Sequence, residues 1–511
     1  MPRRLRAQVP REFDVIVVGA GSAGCVIAHR LSADPDMCVL LVEAGGPPDH
    51  PAAALPGRWT ALLGSGMDWE YQTEAEPALN GRRIAWPRGK AYGGSSAINA
   101  MAYARGHRAG FDEWGAVGGP DWNYRHLLPL FRRSERNVRG ASEYHGAEGP
   151  WIVADTADPH AGHLAFLEAA RELGFSVSPE WDFDGARQEN GAGFYQKHIV
   201  QGRRHSVADA FLAPVMHRPN LTVLGQATAA RVVLEGRRAV GLEVLRQGSR
   251  DMYRARREVV LAAGALESPK LLMLSGIGPA DVLRSHGVSV VLDQPGVGAN
   301  LQDHPRVSVR WHSRAPLAAS SVSAGLITSS MAPTSPAIPD LQFYVGRGLA
   351  DVEAHVTLTV ALTRPFSRGQ LRLGSADPRR PPVIIANYFT DGRDLTALTE
   401  GVRLAHALAG CRAYDALRGA PAPPSEHAET PHVIRSLIRA TADTMFHPAG
   451  TCRMGSDARA VVDGHLRVRG VERLRVADAS IMPTVVNCQC NAACVMIGER
   501  ASDLIRGTGR D

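Results

Sequence analysis

Residues 11–46 read REFDVIVVGAGSAGCVIAHRLSADPDMCVLLVEAGG, and this stretch decides the fold. Val15 to Val18 form an apolar run of the length and β-branched character of a buried strand. Gly19, Gly21 and Gly24, with Ala20, Ser22 and Ala23 between them, make G-x-G-x-x-G. A helix-compatible segment, Cys25 to Leu31, follows, and a second apolar run, Val39 to Val42, ends at Glu43 and Ala44. The glycines suit a tight strand-to-helix turn whose backbone can touch a pyrophosphate, with the helix N-terminus favouring the phosphate charge. Glu43 stands about 20 residues on, where an acid would bond an adenosine ribose. A lone glycine triad is weak evidence. Bracketed by strand, helix, second strand and terminal acid, it specifies a dinucleotide site, without choosing between NAD and FAD.

Composition sets the outer bounds. A chain of 511 residues with 44% hydrophobic content can bury a large core and implies two domains or one elaborated α/β unit. The formal charge of +6 is dispersed through an Arg-rich, mixed-sign surface, which argues against nucleic acid as a partner. The one basic cluster, Arg3, Arg4, Arg6 and Arg11, has no apolar run behind it and does not read as a secretory signal. No segment has the apolar length of a membrane span, so a cytoplasmic location is the expectation. Seven cysteines, an odd number mostly in apolar settings, argue against a disulfide framework. Cys488, Cys490 and Cys494 lack a zinc spacing and a nearby histidine, so no metal is expected.

Outward from the first unit, the pattern predicts a loop-rich region over 46–85 and a hairpin in the stretch from Asn220, turning at Glu235-Gly236. A strand over 258–263 should feed a helix over 265–274. A Ser/Ala/Pro-rich loop or lid is expected over 313–340, and strands of an antiparallel sheet over 355–363 and 370–373. A helix is expected over 392–411, a Pro/Ala-rich connector over 415–430 and a final helix near 496–505.

Four further segments carry chemistry. In Trp86–Gly106, WPRGKAYGGSSAINAMAYARG, two adjacent glycines let backbone lie flat against a planar group that Asn99 can bond. Ala263-Gly264-Ala265-Leu266-Glu267-Ser268-Pro269 is a strand-to-turn-to-helix step able to cover a cofactor. The third is Gly298 to Pro305, GANLQDHP. The fourth is the tail: HPAGTCRMG from His447, VADASIMP from Val476, and Asn491.

In this order the motifs resemble the glucose-methanol-choline family of flavin oxidoreductases, from about Asp14 to Ile505, with choline dehydrogenase-like, hydroxymethylfurfural oxidase-like and pyridoxine oxidase-like members nearest in character. The resemblance implies an α/β fold: a Rossmann-like FAD-binding domain, and a substrate domain built on an antiparallel sheet backed by helices. The expected division gives 12–310 mostly to the FAD domain, completed by 440–511, and 150–200 with 311–440 to the substrate domain. It implies FAD, and oxidation of an alcohol by proton removal and hydride transfer to flavin N5. Electrons would pass to oxygen, a quinone or a dye. A flavin-containing lyase of the hydroxynitrile lyase kind is the alternative.

Carried over by position, the cofactor contacts would be Gly19, Ala20, Gly21, Ser22, Ala23, Gly24, Glu43, Ala44, Trp69, Ser95, Asn99, Ala100, Met101, Ala102, Ala229, Ala263, Gly264, Asp478, Ala479 and Ala492. His447 aligns with the active-site histidine, and an imidazole near neutral pKa suits removal of an alcohol proton. His304 in QDHP reads as structural. Two departures stand out. Ile98 occupies the position where some members tether flavin through histidine, which implies non-covalent FAD. Gln489 stands where the family has His or Asn, leaving Gln489 or Asn491 as the amide beside His447. Met445 and Phe446 suggest an apolar wall and a primary alcohol on an aromatic or aliphatic group.

Overall fold

A computed structural model describes residues 9–317, 323–331, 338–346, 355–425 and 430–507. Arg3, Arg4 and Arg6 of the basic cluster lie outside the described residues, as do parts of the expected lid and connector.

The first strand, β1 (Glu12–Val18), runs parallel to β2 (Val39–Val42), with Val15 opposite Val39 and Val18 opposite Val42. Every residue of β2 is buried, as both-faces-covered parallel strands require. Between them α1 spans Ser22–Leu31, starting at Ser22 rather than Cys25, because the glycine turn is itself the first turn of the helix. The rest of the sheet comes from distant sequence. Leu221–Leu224 pairs parallel with the outer edge of β2. On the other side of β1 lies the long strand Ser249–Leu261. Its second half runs parallel to β1 and to Leu474–Val476, and its first half pairs antiparallel with Arg238–Arg246. The hairpin turn falls after Glu235 as expected, but the residues following Asn220 leave it to join β2.

This topology fixes where the site must be. The carboxyl ends of β1, β2, Ser249–Leu261 and Leu474–Val476 share one edge. Gly19, Glu43, Ala262–Gly264 and Ala477–Ala479 therefore emerge side by side, at the edge where parallel α/β sheets hold ligands. The final helix, Cys490–Arg506, packs on α1 and is pinned there by the two-pronged ion pair of Arg30 with the fully buried Glu499. It begins six residues earlier than expected, at Cys490 instead of Met496.

A second, mostly antiparallel sheet of eight strands stands beside the first, backed by the helix Gly392–Gly410. Its order is Arg418–Pro421, Pro305–Ser313, His355–Leu362, Leu341–Val345, Ala324–Thr328, Gly191–Phe194 and Ser176–Val177, with Asp443–Thr444 pairing the start of Pro305–Ser313. The expected change of domain at 310 thus falls inside a strand, and Asp443–Thr444, expected in the cofactor part, belongs to this sheet. The 313–340 segment holds a central strand, Ala324–Thr328, all buried, so the short, mostly apolar run AGLIT outweighs the surrounding Ser and Pro content. Arg418–Pro421 is likewise an edge strand within the expected connector, and Gln370–Arg372 pairs only with Val383–Ile385. All seven cysteines are free. Among the described residues no helix is long and apolar enough to cross a membrane, and no cluster of three His, Cys, Asp or Glu could hold a metal.

Candidate active site

The two glycine-rich segments touch. A Cβ on Gly94 would lie 2.7 Å from the Cα of Gly21, and Gly94 sits at φ +53°. Inside the first loop, a Cβ on Gly24 would lie 1.8 Å from the carbonyl oxygen of Gly19. Only glycine lets backbone meet backbone this closely. Glu43, at the end of β2, accepts from the Ala20 and Gly45 amides at 2.8 Å each, which ties the loop to the strand. Burial raises its carboxyl to about 7 despite those amides. A ribose hydroxyl would supply a further donor to it.

A cavity of about 460 Å³ runs from this loop to His447. Of the expected cofactor contacts, Gly19, Gly21, Ser22, Ala23, Glu43, Ala44, Trp69, Ser95, Asn99, Ala100, Met101, Ala102, Ala229, Ala263, Gly264, Asp478 and Ala479 line it. Ala20, Gly24 and Ala492 do not: Ala20 offers its amide to Glu43, Gly24 lies beneath the loop, and the Ala492 side chain is buried in the last helix. Trp69 stacks on Tyr71 with rings 5.7 Å apart and the Lys90 ammonium 4.9 Å from its centroid. The Asp478 carboxylate is occupied by the protein. It accepts from the Gly264 amide at 2.8 Å, the Ser268 hydroxyl and the Ser480 amide, so it joins two cofactor-side turns rather than reaching outward. Orphaned polar atoms on the wall, Asn491 Nδ2 and Gln489 Oε1, have no partner among the described residues and fit a polar ligand. The loop, ribose acid, flat glycine segment and length of this cavity together fit FAD.

At the far end, Asp443–Thr444 leads into His447. The Met445 amide donates to the His304 carbonyl, extending the second sheet's pairing by one step. Phe446 takes φ +66°, and its carbonyl accepts from Arg88 at 2.6 Å. The His447 amide donates to Asp303 at 2.8 Å, and the other Asp303 oxygen accepts from the Tyr388 hydroxyl. The backbone before the imidazole is therefore held on both sides. Nδ1 of His447 lies 3.0 Å from Nδ1 of His304. His304, expected as structural, is fully buried but is also the ring partner of His447. The expectation of a near-neutral imidazole pKa is corrected: burial first, then the charges of His304, Arg88 and Arg306, hold His447 well below its ordinary value. The ring is therefore neutral near pH 7.

The two amides separate. Gln489, just ahead of the last helix, donates through Nε2 to the Tyr344 hydroxyl at 2.5 Å and leaves Oε1 facing no donor among the described residues. Asn491, in the first turn of the helix, accepts from Ser22 Oγ at 2.6 Å. Its expected place beside His447 is corrected, because the helix turns it toward the phosphate loop. Sequence reasoning passed over Arg88, Lys197, Arg306 and Tyr344, which all line the cavity. Only the first sits in a recognised motif. The others lie on strands and bridges whose partners are remote in sequence.

These features match known proteins. The family described as GMC oxidoreductase matches residues 13–306 with its amino-terminal model and 365–498 with its carboxyl-terminal model. The chain is 40% identical to mitochondrial choline dehydrogenase of Mus musculus over 97% of its length and 90% of that protein. It is 38% identical to oxygen-dependent choline dehydrogenase of Brucella ovis, over 97% and 96%. Pyridoxine 4-oxidase from Mesorbium loti superposes with a TM-score of 0.90 at 34% identity, covering 96% of this chain and 98% of that one. A formate oxidase superposes at 0.88 with 27% identity, covering 98% and 99%. The chain belongs to the GMC oxidoreductase family, and is an FAD-dependent oxidoreductase acting on CH–OH groups.

Proposed function

We propose that the enzyme oxidises a primary alcohol to an aldehyde, with His447 as the base. The observation that carries this reading is a neutral, buried imidazole on the cavity wall, held by its backbone through Asp303 and by its ring through His304. Bound FAD supplies the acceptor for the hydride that leaves the alcohol carbon, and the loop at Gly19–Gly24, Glu43 and Ser95–Ala102 would hold it. If the shared proton sits on Nδ1 of His447, pointing at His304, then Nε2 of His447 is the free lone pair. That tautomer is assigned from the network. Nε2 then takes the hydroxyl proton, while the Tyr344 hydroxyl, itself accepting from Gln489 Nε2, donates to the substrate oxygen. Ile98 at the position of a tethering histidine supports non-covalent FAD. The named relatives that use oxygen support oxygen as acceptor, with peroxide as product.

Anaerobic mixing with alcohols tests the reading. Flavin absorbance should bleach, and His447→Ala should slow bleaching by about 10²–10⁴-fold with FAD still bound. Unchanged bleaching in the variant would move the base elsewhere. Conversion of a cyanohydrin without bleaching would favour a lyase.

A further inference from the structure

The charge around the cavity is sorted by position. Among the described residues its carboxylates are Glu43, Glu267 and Asp478, all on the cofactor side, and each is already engaged: Glu43 by two amides, Glu267 by the Tyr71 hydroxyl and the Lys270 ammonium, Asp478 by two amides and the Ser268 hydroxyl. Beyond them the charged wall residues are cations. Arg306 opens the strand that pairs with Asp443–Thr444, and its charge is felt by both His447 and Tyr344, which puts it at the chemical end. One nitrogen pairs with the part-exposed Asp443 at 3.1 Å, and the guanidinium lies over the Phe446 ring at 5.3 Å from its centroid. Its other N–H groups have no partner among the described residues. Lys197 is only 4% exposed, its backbone bridges Ala102 beside the flavin-facing segment, and no carboxylate among the described residues pairs with its ammonium. Burial first, then the charge of Arg204, lowers the ammonium to about 7. A buried ammonium without a counter-charge is costly unless a ligand brings one.

Building on the alcohol-oxidising reading of this site, we propose that the substrate is an alcohol bearing a carboxylate, with Arg306 and Lys197 as its counter-charges. The apolar wall expected at Met445 and Phe446 is thus capped by a guanidinium. The same arrangement disfavours a quaternary ammonium alcohol beside Arg306, since no unengaged carboxylate among the described residues lines the cavity to receive it. Recognition of a cation would need one, or an open aromatic face. Phe446 has its face covered by Arg306.

Binding and oxidation are read separately on the flavin-loaded enzyme. Flavin absorbance perturbation by benzoate and by neutral benzamide gives binding. Anaerobic bleaching by 4-(hydroxymethyl)benzoate, benzyl alcohol and a 4-(hydroxymethyl)phenyl-trimethylammonium salt gives oxidation. Benzoate should bind about tenfold or more tightly than benzamide, and bleaching efficiency should fall in the order anion, neutral, cation. Arg306→Gln and Lys197→Met should each shrink the benzoate preference at least threefold, and Arg306→Lys should restore part of it. Equal affinity for benzoate and benzamide, or a preference that survives both substitutions, overturns the proposal even if every alcohol bleaches the flavin. Tight, variant-sensitive benzoate binding without any bleaching leaves the anion site standing and sinks the alcohol-oxidising reading. Loss of FAD from Lys197→Met would assign that ammonium to the cofactor and overturn its part.

Discussion

The two ends of the cavity are built from different materials. The nucleotide end is backbone: glycines in contact, amides on Glu43 and Asp478, strand termini brought level by parallel register. Its polar groups are nearly all engaged by the protein. The alcohol end is side chain: His447, His304, Gln489, Tyr344, Arg306 and Lys197, drawn from segments spread between residues 197 and 489, with several polar groups unengaged. A site that must hold one invariant cofactor can be rigid and self-satisfied. A site that must discriminate and react keeps groups in reserve for a ligand, at a local cost in stability.

This contrast can be broken from either end. The largest effect is expected at the backbone end. Gly24→Val would drive a branched Cβ against the Gly19 carbonyl, where even the first carbon would lie 1.8 Å away, so the purified protein should carry no flavin; a normal flavin-to-protein absorbance ratio would mean the loop can rearrange. Glu43→Gln should weaken FAD binding roughly 10–100-fold through loss of a charged acceptor worth about 1.5–3 kcal/mol, measured by flavin fluorescence on titrating apoprotein. The same change should raise apoprotein stability above neutrality. The folded carboxyl titrates near 7 against an ordinary value of 4.5, so the folded state holds a proton that the unfolded state has lost, and stability falls as pH rises between those values. A Tm unchanged by Glu43→Gln at pH 8 would count against that assignment.

At the side-chain end, His304→Ala should slow flavin reduction by about tenfold, less than His447→Ala, because it removes one orienting hydrogen bond and leaves the base. His304→Asn, which keeps a polar partner, should recover part of the rate. A shift of the pH profile with the loss would mark positioning rather than bulk destabilisation. The smallest effect is the pH dependence of the wild type. His447 is held below its ordinary value, so its neutral form persists as pH falls through 6.5, and the reduction rate should stay level there and drop only in more acidic solution. A half-maximal rate near 6.5 would mean that the imidazole is far less buried in the working enzyme.

Much of the nucleotide end was legible in the residues because its determinants are local. A strand, a glycine turn, a helix and an acid follow one another within 36 residues, and the steric demand for glycine is absolute. The GG segment and the HPAGTCRMG tail were legible as motifs, and so was the place of His447. What could not be read were relationships across sequence. Nothing in QDHP says that His304 will meet His447 ring to ring. The spacing of Gln489 and Asn491 does not show that helix onset between them sends one amide to Tyr344 and the other to Ser22. The Ser/Ala/Pro bias of 313–340 concealed a central strand because a five-residue run, AGLIT, suffices for one. The sequence by itself determined the cofactor loop, the parallel unit around it and the motif that carries His447, since each depends on near neighbours and backbone sterics. Only the tertiary structure decided which side chains face the alcohol and with what charge, because strand pairing between remote segments sets those distances and burial sets those pKa values.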